Sequence, residues 1–398
     1  MQDFDAIVIG LGGMGSATVY QLATHGFNVL GLEKFSLNHT NGSSHGKTRI
    51  IRTSYFHNPF YVPLAKRAFQ VWSDVQAESG KQLIKMTGAV LYGLPDSTLI
   101  TGAVTSSKKH NLPYEILDSQ TAATRFPAFQ AEDDEVAFYE EGAGILFPEE
   151  CIQAHTTLAE KSGANLHFNE PINRWDIRDG RAEVKTINET YTANHLILCP
   201  GAWLTTIVPE LRLPLQTERQ TVFWFKPRKN QEIFTPSRMP VYVWQMKGEK
   251  YYFYGVPDVG DGVKAAKDHD GEFTSPDQVR REVTKEDEEP VRQFLRHHIP
   301  SLEGPPNSST TCLYTNTPDG HFIIDFHPRH RNVIVVSACS GHGFKFSSVI
   351  GEIVREMLDD GESKLDISLF TINRFESRLT PDVLYHEILR QELARKTG

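Results

Sequence analysis

The N-terminal part of the chain alternates short apolar runs with a longer segment of helical spacing. The run AIVIG at residues 6–10 is continuous and rich in β-branched residues, which favours a strand buried on both faces of a parallel sheet. The next segment, GMGSATVYQLATHG, has helical spacing and ends on Gly26, a residue that suits a helix C-terminus. A second short strand, NVLGLEK, carries Glu33 near its end. The pattern predicts a βαβ unit of about 30 residues.

Two later segments have the character of strands and helices returning to the same sheet. Residues 163–203 contain short strands and turns, then the buried run HLILC. Residues 331–361 contain a buried strand, a glycine-containing loop and an amphipathic helix. The segments between them differ: residues 86–145 mix short strands and helices, and residues 215–310 alternate aromatic and polar positions, as antiparallel strands half exposed to a cavity would.

This pattern predicts an α/β protein with two domains, which the length of 398 residues allows. The cofactor-binding domain is expected to be discontinuous, with residues 1–85, 146–214 and 311–398. The second domain, which would bind the substrate, is expected to comprise residues 86–145 and 215–310.

Three glycines stand at the predicted turn from strand to helix. Gly10, Gly12 and Gly15 form the pattern G-x-G-x-x-G, in which the glycines permit a tight turn, close approach of a pyrophosphate and close packing of helix on strand. The helix N-terminus would face the phosphates. Glu33 ends the second strand, where a carboxylate can accept hydrogen bonds from both ribose hydroxyls and would repel a 2′-phosphate. The unit predicts a dinucleotide-binding site.

Composition and charge argue against several classes of protein. The formal net charge of −9 argues against a nucleic-acid-binding protein, and the longest apolar runs are too short to span a membrane. The N-terminus lacks the basic region of a signal peptide, and the C-terminal residues ARKTG are not a peroxisomal signal. The four cysteines have neither a metal-binding spacing nor a disulfide pattern. We therefore expect a soluble, cytoplasmic protein without a metal site.

A basic segment, HTNGSSHGKTRIIR, follows the βαβ unit. It contains His45, Lys47, Arg49 and Arg52. A solvated charged face is one interpretation. The alternative is a binding site, because Arg49 and Arg52 are spaced i, i+3 and would lie on one helical face, where they can hold a carboxylate beside a cofactor.

A second motif, CSGHGFKFSS, lies between a predicted buried strand and a predicted helix. A helix N-terminus here would direct free N–H groups at an anionic group. Lys345 would then reach a substrate carboxylate, and the Gly341 carbonyl would accept from a substrate amine. The alternative is an ordinary strand–helix connection with an exposed lysine. Cys312, in TTCLYT, is by itself most simply a small buried residue.

The chain closely resembles the monomeric sarcosine oxidase and N-methyl amino acid oxidase family, amine-oxidising flavoproteins related to D-amino-acid oxidase. The resemblance extends from FDAIVIG to LDISLFTINRF and is most specific in HTNGSSHGKTRIIR and SGHGFKFSS. It implies a glutathione-reductase-like, FAD-binding Rossmann domain with an interposed antiparallel β-sheet substrate domain. It also implies an FAD held covalently by an 8α thioether to Cys312.

The resemblance implies further residue roles. Arg52 and Lys345 would bind the substrate carboxylate, and Tyr254 and Tyr314 would line the substrate cavity. His45 and Arg49 would be positive neighbours of the flavin, and Lys264 would activate oxygen. The implied cofactor contacts are Gly10, Gly12, Gly13, Met14, Gly15, Glu33, Lys34, Ser43, Thr48, Arg49, Ile172, Gly201, Trp203, Cys312, Gly341, His342, Gly343, Phe344 and Lys345.

Two positions depart from the family pattern. The sarcosine oxidases have a histidine four residues after the lysine of G-x-K, whereas here His269 comes five residues after Lys264, which leaves its contact with the amine in question. They also tend to carry an aromatic residue before SGHGFK, where this chain has Cys339. The loss of that bulk would open the pocket to a larger substrate.

The expected function is oxidation of a secondary amino acid by FAD and O2, with the amine bound neutral and hydrogen peroxide as a product. For sarcosine the other products would be glycine and formaldehyde. A bulkier or cyclic substrate, such as N-methyltryptophan, pipecolate, proline or a fructosyl amino acid, is an alternative. An NAD-linked dehydrogenase and a flavin-binding protein without catalysis remain as other classes. We expect a monomer whose partners are the amino acid and O2.

Overall fold

The computed structural model describes residues 2–378. Within this range the strands are Gln2–Ile9 (β1), Val29–Leu32 (β2), Arg49–Ile51 (β3), Ile84–Met86 (β4), Ala89–Gly93 (β5), Glu115–Asp118 (β6), Val136–Glu140 (β7), Gly144–Leu146 (β8), Asn165–His167 (β9), Ile172–Arg178 (β10), Arg181–Thr186 (β11), Thr190–Leu198 (β12), Gln216–Phe225 (β13), Val241–Trp244 (β14), Phe253–Val256 (β15), Val263–Lys267 (β16), Phe273–Thr274 (β17), Ser308–Asn316 (β18), Ile323–His327 (β19) and His330–Ser337 (β20). The α-helices are Gly13–Thr24 (α1), Tyr61–Ser79 (α2), Thr98–His110 (α3), Ser119–Arg125 (α4), Pro148–Lys161 (α5), Leu204–Ile207 (α6), Lys285–His298 (α7) and Ser347–Asp359 (α8).

The first sheet is built around a parallel centre in the order β9-β2-β1-β12-β20. Strand β11 pairs in antiparallel orientation with the first half of β12 and with β10, and β19 pairs in the same orientation with β20. The centre of β1 is buried on both faces: Ala6 and Val8 belong to a core shared with α1, α2, α5 and α8, while Ile7 and Ile9 belong to a core on the other side. The predicted βαβ unit is therefore present as β1, α1 and β2.

The second sheet has nine strands and combines the two segments that interrupt the first. Its order is β17-β13-β16-β15-β14-β5-β7-β6, with β18 also on β13. The pairs are antiparallel except β14 with β5, as the alternation of aromatic and polar residues predicts for most of them. Helix α7 covers one face, where Phe294 stacks on Phe253.

The strand that carries Cys312 lies in the second sheet. The predicted boundary at residue 311 cuts through β18, whose whole length pairs with β13 from Gln216↔Asn316 to Trp224↔Ser308. Residues 311–316 therefore belong to the second sheet, where they pair with β13.

A third, small sheet corrects the expectation for the basic segment. Arg49–Ile51 is not helical but forms β3, which pairs with β8 in the order β3-β8-β4. The two isoleucines favour a strand, and Gly144 of β8 permits close pairing because a Cβ there would lie 2.3 Å from the Lys85 carbonyl oxygen. Arg49 and Arg52 therefore do not share a helical face. No helix within residues 2–378 has the length and apolar character needed to cross a membrane.

Candidate active site

The turn after β1 requires glycine at two positions, Gly10 and Gly15. Gly10 has a φ of +87°, and a Cβ there would lie 2.5 Å from the Cys199 carbonyl oxygen. A Cβ on Gly15 would lie 1.7 Å from the Gly10 carbonyl oxygen, so this glycine lets α1 pack on the turn. Helix α1 therefore begins directly at the turn, with its N-terminus open toward the cavity described below.

The carboxylate of Glu33 stabilises the glycine turn. It accepts hydrogen bonds from the backbone N–H groups of Leu11, at 2.8 Å, and Phe35, at 3.0 Å. Nearby, Asp277 accepts from Trp203 Nε1 at 2.8 Å and from Lys34 Nζ at 3.1 Å. Glu33, Asp277, Trp203 and Lys34 all line one end of a cavity.

One cavity connects the glycine turn with the second sheet. Of the residues predicted to contact the cofactor, all except Gly15 line it, and so do His45, Arg52, Tyr254, Lys264 and Tyr314. Residues from three distant parts of the chain therefore meet here, as the sequence analysis predicts. Gly15 lies behind the turn.

Arg49 joins the basic segment to β18. Its Nη2 donates to the Ser43 carbonyl oxygen at 2.7 Å and lies 3.5 Å from Cys312 Sγ, and its Nη1 donates to the Thr48 carbonyl oxygen at 2.8 Å. The thiol of Cys312 in turn donates to the Ser43 carbonyl oxygen at 3.4 Å. A buried sulfur and a fixed positive charge are thus adjacent on the cavity wall.

Lys264 enters the same region from β16. Its Nζ donates to the carbonyl oxygens of Gly46 and Thr48, both at 2.9 Å, and the side chain is buried. Burial, together with the charge of Arg49, holds the pKa of Lys264 well below its usual range. Lys267, on the same strand, instead pairs with Glu249 and Asp270.

His45 differs from its predicted role as a positive neighbour of the flavin. Burial, Arg49 and Lys264 lower its pKa to about 3, so the imidazole is neutral near pH 7. Within the described residues its Nε2 and the Thr48 hydroxyl are buried without a hydrogen-bond partner. Both residues line the cavity, so these two atoms are available to a bound molecule.

Two cations stand at the other end of the cavity. Arg52, which is buried, donates to the Ser54 carbonyl oxygen and places its guanidinium carbon 4.1 Å from the Phe56 ring centre and 4.8 Å from that of Tyr55. Lys345 Nζ donates to the His342 carbonyl oxygen at 2.6 Å and lies 5.5 Å from the Tyr55 ring centre. Burial and Arg52 lower the pKa of Lys345 well below its usual range. An anionic ligand between the two would relieve their repulsion.

The loop before α8 holds Lys345 in place. A Cβ on Gly343 would lie 1.7 Å from the Ala338 carbonyl oxygen, so the chain turns back on itself there. The segment Phe344–Phe346 is a 3₁₀ turn, and α8 begins only at Ser347. The helix predicted after this motif therefore begins at Ser347, as its sequence pattern indicates.

His269 lies outside the cavity lining. A Cβ on Gly341 would be 2.7 Å from His269 Nε2 and 2.9 Å from the Tyr314 ring, so His269 lies behind these two residues. Its Nδ1 is 3.3 Å from Glu218 Oε2. Burial lowers the pKa of His269, but Asp268 and Glu218 outweigh it and raise the pKa to about 9. A predicted catalytic contact is thus replaced by a buried ion pair.

Sequence reasoning missed several polar residues that line the cavity, among them Asp268, Tyr252 and His57. Asp268 follows β16 directly, and the two-residue period of a strand places it on the same side as Lys264. That period, applied to KAAKD, was the signal that could have identified it. His57 stacks on His342 with ring centres 5.2 Å apart, and no local pattern indicates this contact.

The glycine turn, the parallel sheet and the shared cavity define a dinucleotide-binding α/β protein. The sequence matches the family described as "FAD dependent oxidoreductase" over residues 5–357, and the chain belongs to that family. The resemblance identified from the motifs is thereby confirmed.

Relatives from several sources are similar over nearly the whole chain. A protein named monomeric sarcosine oxidase from Streptomyces avermitilis is 42% identical over 377 residues, which cover 93% of this chain and 97% of that protein. N-methyl-L-tryptophan oxidase from Yersinia pestis is 32% identical over 375 residues, covering 94% and 100%. The crystal structure of L-proline dehydrogenase from P. horikoshii superposes with a TM-score of 0.83 at 21% identity, covering 94% of this chain and 98% of that one.

The residues present fit an FAD. The glycine turn adds no side chain of its own at the α1 N-terminus, where the Ser44 hydroxyl accepts from the Gly13 N–H at 3.1 Å. The unpartnered atoms of His45 and Thr48 belong to residues that also line the cavity. The cavity continues from there to Cys312 and to the paired cations. The chain is therefore an FAD-dependent oxidoreductase.

Proposed function

We propose that this protein is an oxidase of secondary, N-methyl amino acids that carries out sarcosine-type oxidative demethylation. The balanced reaction is R–NH–CH3 + O2 + H2O → R–NH2 + HCHO + H2O2. The names of the relatives that are 42% and 32% identical support this class of substrate. We further propose that it acts as a monomer, in line with the name of the first of these relatives, and that it works in the cytoplasm.

The observation that carries the proposal is the pair of buried cations in the cofactor cavity. Arg52 and Lys345 both lie against the Tyr55 ring, and the structure provides each with only a backbone carbonyl as hydrogen-bond acceptor within the described residues. A carboxylate bound between them would be fixed by charge-assisted hydrogen bonds. The amine of the same amino acid would then extend toward Tyr254 and Tyr314, which line the adjacent wall.

In this proposal the first sheet forms the FAD-binding Rossmann domain and the second forms the substrate domain. FAD supplies the acceptor for a hydride and passes the two electrons on to O2. We assign Cys312 as the residue that attaches the FAD covalently, because its buried sulfur lies on the cavity wall beside Arg49. Gly341, with a φ of +77°, offers its carbonyl oxygen to the substrate amine.

Lys264 is assigned to the reaction with O2. Its ammonium group is buried in the cavity wall and held by two carbonyl oxygens, so its position is preorganised. A fixed cation stabilises the negative charge that develops on oxygen as it is reduced.

A bulkier or cyclic secondary amino acid is the second candidate. Cys339 lines the cavity where the resembling oxidases carry an aromatic residue, so the wall is less filled at this point. The relative named N-methyl-L-tryptophan oxidase also supports a larger substrate.

A peroxide-coupled assay with a panel of amino acids tests the proposal. Sarcosine, N-methyltryptophan, pipecolate and proline would be compared, with formaldehyde measured in parallel. We expect equal amounts of peroxide and formaldehyde from an N-methyl substrate. Peroxide without formaldehyde would favour a cyclic substrate, NAD-dependent turnover would favour a dehydrogenase, and bound flavin without any turnover would indicate a non-catalytic protein.

A further inference from the structure

A carboxylate faces the part of the cavity that holds the two cations. Asp268 lines the cavity, and its side chain is 17% exposed. Its Oδ1 accepts a hydrogen bond from the Tyr314 hydroxyl at 2.9 Å. Other acidic residues of the cavity lining within the described residues, Glu33, Glu170 and Asp277, lie at the end with the glycine turn or hydrogen-bond to residues there. Asp268 is thus the acidic group of the substrate end.

Asp268 shares its neighbouring cation, His269, with a second carboxylate. The nearest basic group, His269 Nε2, is 3.9 Å from Oδ2, and the other nitrogen of that ring lies 3.3 Å from the buried carboxylate of Glu218. Burial raises the pKa of Asp268, against the opposing effects of His269, Tyr314 and Lys345. A poorly solvated carboxylate gains more from an incoming cation than one in water does.

The substrate end of the cavity therefore carries charges of both signs. Arg52 and Lys345 are its positive groups. Asp268 is its negative group, and its charge affects the pKa of both cations. An α-amino acid in its zwitterionic form carries the complementary pair of charges, with carboxylate and ammonium separated by one carbon.

We infer that Asp268 binds the positively charged amine of the substrate, so that the cavity selects the zwitterion rather than the neutral-amine form. This inference rests on the proposed function for the substrate class. The ammonium then gives one N–H proton to the Asp268 carboxylate: the N–H bond breaks, an O–H bond forms and the electron pair stays on nitrogen. The resulting neutral amine is the form from which a hydride can leave the adjacent carbon.

A structural role for Asp268 as an anchor for Tyr314 predicts different behaviour. Asp268→Asn keeps an oxygen that can accept from the Tyr314 hydroxyl but removes the charge. Asp134→Asn is the control, because it removes an exposed carboxylate that pairs with Lys247 outside the cavity lining. Thermal unfolding of both variants checks that they fold.

Two isosteric carboxylates separate charge recognition from shape. Trimethylglycine carries a fixed positive nitrogen, and 3,3-dimethylbutanoate has a carbon in its place. Neither has a nitrogen electron pair, so neither is oxidised. Their dissociation constants with the flavin-loaded protein would be measured by flavin absorbance and by calorimetry. Dimethylsulfonioacetate and 3-methylbutanoate form a smaller pair should size exclude the first.

We expect the wild-type protein and Asp134→Asn to bind the cationic ligand about 10-fold or more tightly than its neutral isostere. Asp268→Asn should lose most of this preference while its affinity for the neutral ligand stays within about 2-fold. Equal preference in the wild type and Asp268→Asn, or no preference in the wild type, would overturn the inference.

The proton transfer has its own readout, the anaerobic rate of flavin reduction at saturating substrate. In Asp268→Asn this rate should rise about 10-fold per pH unit below the pKa of the substrate amine, and in the wild type it should depend less steeply on pH. Equal pH profiles would overturn this step. Charge selection without oxidation of any amine would refute the proposed function alone, whereas amine oxidation without charge selection would refute only the inference.

Discussion

Arg49 Nη2 lies 3.5 Å from the sulfur of Cys312, although the two residues belong to different sheets. This contact brings the basic segment after the βαβ unit against the wall of the second sheet. It is also the point at which the proposed attachment of FAD can be tested most directly.

Cys312→Ser should fold and bind FAD but should release it on acid precipitation, because the hydroxyl cannot form the proposed thioether. Intact-mass measurement of the wild-type chain should show the added mass of FAD, and the variant should not. Cys339→Ser, which changes another cysteine of the same cavity, should keep the added mass. A wild-type chain without added mass would refute the covalent bond.

Arg52→Ala and Lys345→Ala should each weaken substrate binding while the flavin stays in place. Removing one member of a buried, charge-assisted contact costs about 2–5 kcal/mol. Titration of the flavin absorbance with a carboxylate inhibitor measures this loss. Arg125→Ala, which removes an exposed arginine paired with Glu115, is the control. Unchanged affinity in either cavity variant would contradict the assignment of the carboxylate site.

Lys264→Met should slow reoxidation of the flavin by about 10²–10³-fold, the usual effect of removing one preorganised electrostatic group. Anaerobic reduction by substrate should change much less, because Arg52 and Lys345 bind the carboxylate in our assignment. Stopped-flow measurement of the two half-reactions distinguishes these effects. Lys267→Met should reoxidise normally, since Lys267 pairs with Glu249 and Asp270. If Lys267→Met reoxidised slowly and Lys264→Met did not, Lys267 rather than Lys264 would be the residue that assists the reaction with O2.

His155 should make the stability of the protein depend on pH. The side chain is fully buried, with its ring 5.0 Å from that of Trp72, and burial lowers its pKa to about 3. Below the ordinary histidine pKa of about 6.5, the unfolded chain binds a proton that the folded chain does not. The free energy of unfolding therefore decreases as the pH is lowered from about 6.5 to about 3.

Urea unfolding at pH 6.5 and pH 5 tests this. His155 should account for about 2 kcal/mol of the stability lost between these values, and His155→Gln should lose that much less. The exposed His25, changed to Gln, should leave the pH dependence as in the wild type. An equal loss of stability in wild type and His155→Gln would contradict the assigned burial effect.

The βαβ unit could be predicted from sequence because its signals are local: a buried run, a helical period and three closely spaced glycines. The conformation of Arg49 could not, because β3 exists by pairing with β8, which lies far along the chain. The charge state of His45 depends on Arg49 and Lys264, which only the folded chain brings together. Asp268 rather than His269 lines the cavity, because Asp268 directly follows β16 on the side of Lys264, whereas the chain turns at His269, which has a φ of +54°.

The position of β18 in the second sheet has a mechanical consequence. A molecule that is bound at the glycine turn and attached to Cys312 holds the two sheets together, since its ends are fixed to different sheets. The cofactor then stabilises the contact between the two sheets in addition to its chemical role. The loaded protein should therefore unfold in a single cooperative transition at a higher temperature than the cofactor-free chain.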